Sequence, residues 1–532
     1  MKVAYWQDAP MPREQLVMFA RRLEDVIPED HPVRLFEEIL DAVDWTAWEA
    51  EYHGTRGQPP IHPSLLAKVL LFAMVRGLRS SRKIEYAVKH SIDFIWLVSG
   101  RQIDHTTISI FRKKHTAALK ELNADLIRVA AKMGAAKLSE VCLDGTRVLA
   151  NACRSKTYKL EQVEQLIREN RTELEKALQE THSSDAEEDV LDDGSSADRL
   201  PAELADKKAR LQLLEQVKAQ LLEMEATRKK EGIDPEKNPA QLPSTDPDSR
   251  ILPNKEGGYA PNYTPLVMTE TMNGFIVAAD VFTGNVEHTK LVGLVDWVSA
   301  EFTEKPATVL ADGAYSTGPN LEALDQREIE LLSPLPTGDP PAENPAIRPD
   351  PSQPVPEEQI DRLPLNAQTK RFDKAAFVYD EKQDVYFCPA GQQLPPKYHE
   401  NRQQQGQTIR RTIYLSSSCS GCPLANRCLG NPNGKSGRRV SRDQYEARRL
   451  QHADKMKQDA TKERYRKRLH IAETPFAVLK AAFGLRQFLL RGLAGVRQEW
   501  NWATATFNLK KLMAITAGLR AKSITQLQVA TT

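Results

Sequence analysis

The chain has 532 residues, 40% of them hydrophobic and 27% charged, with Lys+Arg 73 against Asp+Glu 72. This length points to two to four domains, and the composition is that of a globular protein with enough apolar mass for a core. The near-neutral balance excludes a polycation, no run approaches ~18 uninterrupted apolar residues, so no membrane span is expected, and six cysteines, four of them bunched, argue against a disulfide scaffold. The opening MKVAYWQDAPMPREQL lacks the apolar run of a signal peptide, so a cytoplasmic protein is expected.

Residues 13–130 carry apolar positions at three- and four-residue spacing and read as helices. The run from Pro63 to Val98 is the most apolar. A further helix is predicted from Asp104 or Thr106 as N-cap through to Ala135. Its basic segment, with Arg112, Lys113 and Lys114, and the turn at Ser99-Gly100 fit a DNA-binding module of helix-turn-helix type. A helical bundle whose charges only keep it soluble is the alternative. LSEVCLDGTRVLANAC then reads as strand, turn, strand, with Cys142 and Cys153 as packing residues on them. Residues 156–230 read as a long helical hairpin, coiled-coil-like and broken by the acidic SSDAEEDVLDDGSSAD.

Strands return at TPLVMTETMNGFIVAADVFTGN, a hairpin around Asn273-Gly274. A helix, TKLVGLVDWVSAEF, and a strand, PATVLADGAY, follow. Residues 333–370 are a Pro-rich linker. From Lys435 to Lys522 the chain reads as helical and holds 21 Lys and Arg against 7 Asp and Glu. An excess of that size over several helices is what binding to a phosphate backbone requires.

Three acids stand out: Asp144 ending the strand in VCLDGT, Asp312 ending another in TVLADGAY, and Glu473 in RYRKRLHIAETPFAVLK. Asp is depleted from strands, and a carboxylate near a core must be paired, hydrated or bound to metal. Asp-Gly is also a favoured turn dipeptide, which is the plain reading of either site alone. Three carboxylates from separate elements can hold two Mg²⁺ (or Mn²⁺) ions about 4 Å apart for in-line displacement at phosphorus. Glu463 and Glu499 compete with Glu473. Glu473 is preferred because Thr474-Pro475 follows it and Lys480 lies seven residues on, about two turns along the same face.

In this order the residues resemble the DDE transposases of bacterial insertion sequences. Tyr465, Arg468, Glu473 and Lys480 match their tyrosine-arginine-glutamate-lysine signature, with four residues between Arg468 and Glu473 where the related pattern has three. The resemblance implies an α+β multidomain protein. Its helical N-terminal DNA-binding domain (1–135) precedes a ribonuclease H-like mixed sheet flanked by helices (136–155, 250–332 and 440–525). A helical-hairpin insertion (156–249) and a Pro-rich and Cys-rich insertion (333–439) interrupt the sheet. It implies Asp144 and Asp312 on the first and fourth strands as Mg²⁺ ligands with Glu473. Tyr465, Arg468 and Lys480 would contact DNA. The partners implied are double-stranded DNA, as terminal inverted repeats and target, and a second copy of the chain. A nuclease that cuts without joining, or a non-catalytic DNA-binding protein, are the rivals.

Cys388, Cys419, Cys422 and Cys428 can close a tetrahedral structural Zn²⁺ site, the Cys388–Cys419 gap forming a hairpin or loop that the metal staples. Free buried cysteines or a redox centre are the alternatives, and His399 and His452 are substitute ligands. Trp500 and Trp502 could stack on an extruded base but are expected in the core. Glu287 and His288 could approach the metal site, although a helix-start role is favoured.

Overall fold

The computed structural model describes residues 22–52, 59–188, 202–230, 232–254, 257–335, 343–404, 407–417, 419–432 and 436–530. Residues 13–21, the start of the stretch expected to be helical, lie outside these, as does most of the acidic break. Packing divides the chain into two compact units. One comprises the residues up to Leu126 with Ala481–Gly484 and those from Asn501 on. The other comprises Ile127–Lys480 and Leu485–Trp500.

The first unit is helical. Pro63–Val75 is apolar on every side and almost wholly buried, whereas Pro32–Asp41 and Ser81–His90 present one buried stripe each. Trp48, Phe111 and Trp502 meet at its centre. The helix predicted from Asp104 to Ala135 is two helices, His105–Phe111 and Thr116–Lys132. Between them His115 takes a left-handed backbone (φ 61°) and is buried against Trp48 and Phe111. The basic segment is therefore a turn and not an amphipathic helix.

The second unit is built on a mixed sheet. Five strands order it: β1 (Glu140–Gly145), β2 (Tyr259–Glu270), β3 (Ile276–Phe282), β4 (Thr308–Leu310) and β5 (Glu330–Leu332), arranged β3-β2-β1-β4-β5. β2 is antiparallel to β1 and β3, while β1, β4 and β5 run parallel. This is the ribonuclease H-like order. The β2–β3 hairpin turns at Asn273-Gly274, with Gly274 at φ 77° as such a turn requires.

Alternation along the strands gives the sheet two buried faces. Val141, Leu143, Val309 and Leu331 pack under helix Leu291–Phe302 through Leu291, Val295 and Val298. On the opposite face Cys142, Leu310 and Leu332 lie under Met456 and Ala472, which come from C-terminal helices Glu446–Lys457 and Arg468–Ala477.

The arm is the predicted hairpin of two helices, Leu160–Glu188 and Ala202–Lys230, zipped by Val163, Ile167, Leu214, Val217 and Leu221. The cysteine-bearing insertion has its own core around Phe372, Phe377, Tyr386 and Tyr414. Strands Pro396–Gln404 and Gln407–Leu415 form the hairpin between Cys388 and Cys419. Cys153 is on no strand and is exposed, its Sγ 3.0 Å from Ser155 Oγ. The second strand of that segment is only Val148–Leu149.

Candidate active site

The parallel register Cys142↔Leu310 fixes the geometry. Asp144 lies two residues beyond that pair within β1, and Asp312 lies two residues beyond it just past the end of β4, so neighbouring parallel strands carry both to the same end of the sheet. Two residues is also one full pleat, so Asp144 belongs to the face that carries Cys142, beneath the C-terminal helices. Asp312 also caps the turn Gly313–Tyr315, its Oδ1 accepting from Ala314 N at 2.9 Å, and its carbonyl accepts from Ser333 Oγ at 2.5 Å.

Helix Arg468–Ala477 and the residues before it bring the signature side chains to this end of the sheet. Arg468 Nη2 donates to Asp144 Oδ1 at 3.1 Å, both side chains largely buried. Burial opposes the guanidinium charge, but Asp144 and, further off, Asp312 outweigh it and hold the Arg468 pKa up. Tyr465 donates its hydroxyl to the carbonyl of Ala311, next to Asp312, at 3.1 Å. Pro475 interrupts the helix and a π turn, Val478–Ala482, follows, as expected where an amide donor is missing. From that turn Lys480 Nζ reaches Thr146 Oγ1 at 2.6 Å and the carbonyl of Arg147 at 3.0 Å.

Glu473 lies between Arg468 and Lys480, one residue after Ala472, which packs on Cys142. Its own side chain is exposed. Of its competitors, Glu499 is buried and accepts the amides of Leu489 and Leu490 at 2.9 and 3.0 Å, a structural task. Glu463 pairs with Arg466 at 2.9 Å on the surface. Among the described residues no group of three or more His, Cys, Asp or Glu side chains is spaced to hold a metal ion. The pair Asp144–Asp312 is thus brought together, and Glu473 is carried on the adjoining helix without closing a cage.

Gly145 escaped the motif reading, whereas Glu287 was named as able to approach the site. Gly145 is paired with Leu266 inside the ladder and does not adopt a left-handed backbone, so Asp144-Gly145 is no turn. A Cβ there would collide with Glu287 Oε2 and with Leu266. Glu287 does begin a short 3₁₀ helix, as expected of a helix-start residue, but its carboxylate also lies against the residue after Asp144 and pairs with Arg147 at 2.7 Å. Burial pushes its carboxyl pKa up, with Arg147 acting against this and Asp312 adding to it. Glu287 stands in the segment GNVEH, an acid placed just before the helix that leads to β4 and Asp312.

Of the predicted DNA-contacting residues in the first unit, Lys113 and Lys114 are exposed. Arg112 is buried and donates to the carbonyl of Arg79 at 2.6 Å, so it is a structural residue. Trp500 and Trp502 are both core residues. Cys142 is buried under the site, which pushes its thiol pKa up to about 12.

Cys388, Cys419, Cys422 and Cys428 line one cavity of about 20 Å³, room for a single water-sized occupant. None forms a disulfide. Burial, with the other cysteines close by, pushes the Cys428 thiol up to about 11, and the amide of Arg438 donates to Cys419 Sγ at 3.3 Å. Four sulfurs around one atom-sized space suit zinc chemically, although they are not at ligand spacing here. His452 is committed elsewhere, its Nε2 2.6 Å from the carbonyl of Ser333. His399 lies on the hairpin beside Thr412.

Comparison with known families finds two matches. The Transposase DDE domain model matches residues 387–513, and Transposase domain (DUF772) matches residues 21–114. No curated protein matches the chain. Among solved structures, the Mos1 transposase paired-end complex with left transposon end is 9% identical, with 57% of this chain and 73% of that chain aligned at a TM-score of 0.15. The Mos1 Strand Transfer Complex is 8% identical, with 57% and 72% aligned at 0.15. At that score the alignments carry no weight for the fold, which rests on the strand order.

Proposed function

We propose, starting from a chain that is a DNA transposase of the DDE type, that it binds the terminal inverted repeats of its own element. In this reading it hydrolyses a phosphodiester there to expose a 3′-OH and joins that end to target DNA at one site made of Asp144, Asp312 and Glu473. The observation that supports this reading is that Arg468, on the helix that carries Glu473, bonds Asp144 at the end of β1 and also feels the charge of Asp312, just past β4. Mg²⁺ or Mn²⁺, when bound, would activate the attacking oxygen and stabilise the leaving one. Asp144 and Asp312 would hold it and Glu473 would complete the set.

The remaining roles follow from contacts. Arg468 neutralises Asp144 in the metal-free site, so two adjacent carboxylates can fold side by side. Tyr465 and Lys480 bond the main chain just beyond β4 and β1, at Ala311 and Arg147, and Lys480 brings positive charge there. Exposed Lys113 and Lys114 would contact repeat DNA, and the four cysteines would hold a structural Zn²⁺ that folds the insertion. Paired ends call for two protomers on DNA.

The test is strand transfer of a labelled duplex carrying the DNA that flanks the coding sequence, with Mg²⁺, for wild type and Asp144→Ala. Joined product from wild type and none from the variant is expected. Cleaved ends without joining would make the protein a nuclease, and identical behaviour of both proteins would remove Asp144 from the chemistry.

A further inference from the structure

We propose that Glu287 is a further residue of the active site, a positioning residue that holds the Arg147 guanidinium away from the metal-binding carboxylates. This rests on the reading of Asp144 and Asp312 as metal ligands. Three independent contacts lock Glu287 in place. Its Oε1 pairs with Arg147 Nη1 at 2.7 Å, and the same nitrogen donates to Thr264 Oγ1 at 2.7 Å on β2. Its Oε2 occupies the space that a Cβ on Gly145 would need. Its backbone turn is tied to the turn that begins at Asp312 by buried Asn320, whose Nδ2 donates to the carbonyls of His288 and Tyr315, each at 2.9 Å.

The consequence is electrostatic. Arg147 stands three residues from Asp144, has a largely buried side chain, and is joined at its carbonyl by Lys480. Arg468 already pairs with Asp144. Asp312 is close enough to act on the Glu287 carboxyl, so an Arg147 released from Glu287 would be left near Asp312 and would compete with a divalent cation for it. Glu287 thus keeps one cation from occupying the site, and glycine at 145 lets its carboxylate approach closely enough to do so.

The experiment measures Mn²⁺ affinity of the full chain by the electron paramagnetic resonance signal of free Mn²⁺. Strand transfer is titrated with Mg²⁺ in parallel. Glu287→Gln should weaken Mn²⁺ binding about 10-fold, the lower end of what outer partners of metal ligands contribute, and raise the Mg²⁺ needed for half-maximal transfer by a similar factor. The double variant Glu287→Gln/Arg147→Gln should recover most of both, because the competing cation is gone. Gly145→Ala, which displaces the carboxylate without removing it, should resemble Glu287→Gln and serves if that variant does not fold. Wild-type Mn²⁺ affinity in Glu287→Gln and Gly145→Ala, or a double variant no better than the single, overturns the proposal. Asp144→Asn is the control on the premise: if it binds Mn²⁺ like wild type, the metal reading itself fails.

Discussion

Asp104 shows how much one side chain can set locally. Its Oδ1 accepts the amides of Thr106 and Thr107 at 2.8 and 2.9 Å, and its Oδ2 accepts the Thr107 hydroxyl at 2.6 Å, capping helix His105–Phe111. The hydroxyl of Thr107 first, then these amides, hold its carboxyl down at about 2 from 3.8. Asp104→Ala should destabilise the helical unit by about 1 kcal/mol at neutral pH, as loss of an N-cap does. Because the folded pKa is depressed, the contribution is complete above the unfolded value of 3.8 and fades as pH falls through about 2. Denaturant midpoints of the two proteins should therefore converge between pH 4 and 2, and a gap that stays constant there contradicts the cap. This residue was legible because a cap is a matter of neighbours in sequence. Gly145 was not: Asp-Gly reads as a turn, and the reason for the glycine is a carboxylate 142 positions further along the chain. Glu499 could not be set aside from sequence either, since its use by two amides in the bend before its helix is visible only in space.

Elements were legible where their periodicity was strong. The arm followed from Leu and Val repeats, and the β2–β3 hairpin from Asn-Gly between apolar runs. The basic turn at Arg112–His115 was misread as helix because nothing local announces that His115 will adopt φ 61° to bury its ring. The cysteine insertion lies between these cases. The spacing pointed to a metal staple and the gap to a hairpin, and the hairpin is present. Its core is small, and the strands beside it, Val378–Asp380, Val385–Phe387 and Gln393–Leu394, are only two or three residues long. Strands that short are weak on their own, so this element should depend on the ion. Purified protein is expected to hold one Zn²⁺ per chain by elemental analysis. Removal by a chelator, or Cys419→Ser/Cys422→Ser, should make residues 343–440 readily cut by protease while β1–β5 stay protected. Protein without zinc that resists protease equally refutes the staple.

At the scale of the whole molecule, the sequence shows a basic C-terminal stretch in a neutral chain and leaves open how much of that charge is available. Much of it is spent inside the second unit. Arg464 pairs with Glu330 at 2.8 Å, Arg449 with Asp443 at 2.7 Å, Arg468 with Asp144 at 3.1 Å and Arg497 with Asp280 at 2.7 Å, while Arg448 pairs with Asp325. Glu330, Asp144, Asp280 and Asp325 all lie outside the basic stretch, which is why counting within it overstates the free charge. Each such pair removes a cation from the set that can displace counterions from DNA, unless the pair opens on binding. For about 6–10 phosphate contacts affinity falls by about 10³–10⁵ between 50 and 200 mM salt. The internal pairing places this chain at the lower end, about 10³. Fluorescence anisotropy of a labelled flanking-repeat duplex across that salt range measures the slope directly. Neutralising an exposed cation, as in Lys113→Gln, should flatten the slope by about one phosphate, whereas Arg464→Gln, whose charge is already matched by Glu330 and Glu140, should leave it unchanged. A wild-type affinity that does not respond to salt would show that phosphate contacts do not drive binding, and a slope that falls with Arg464→Gln would show that the internal pairs open on DNA.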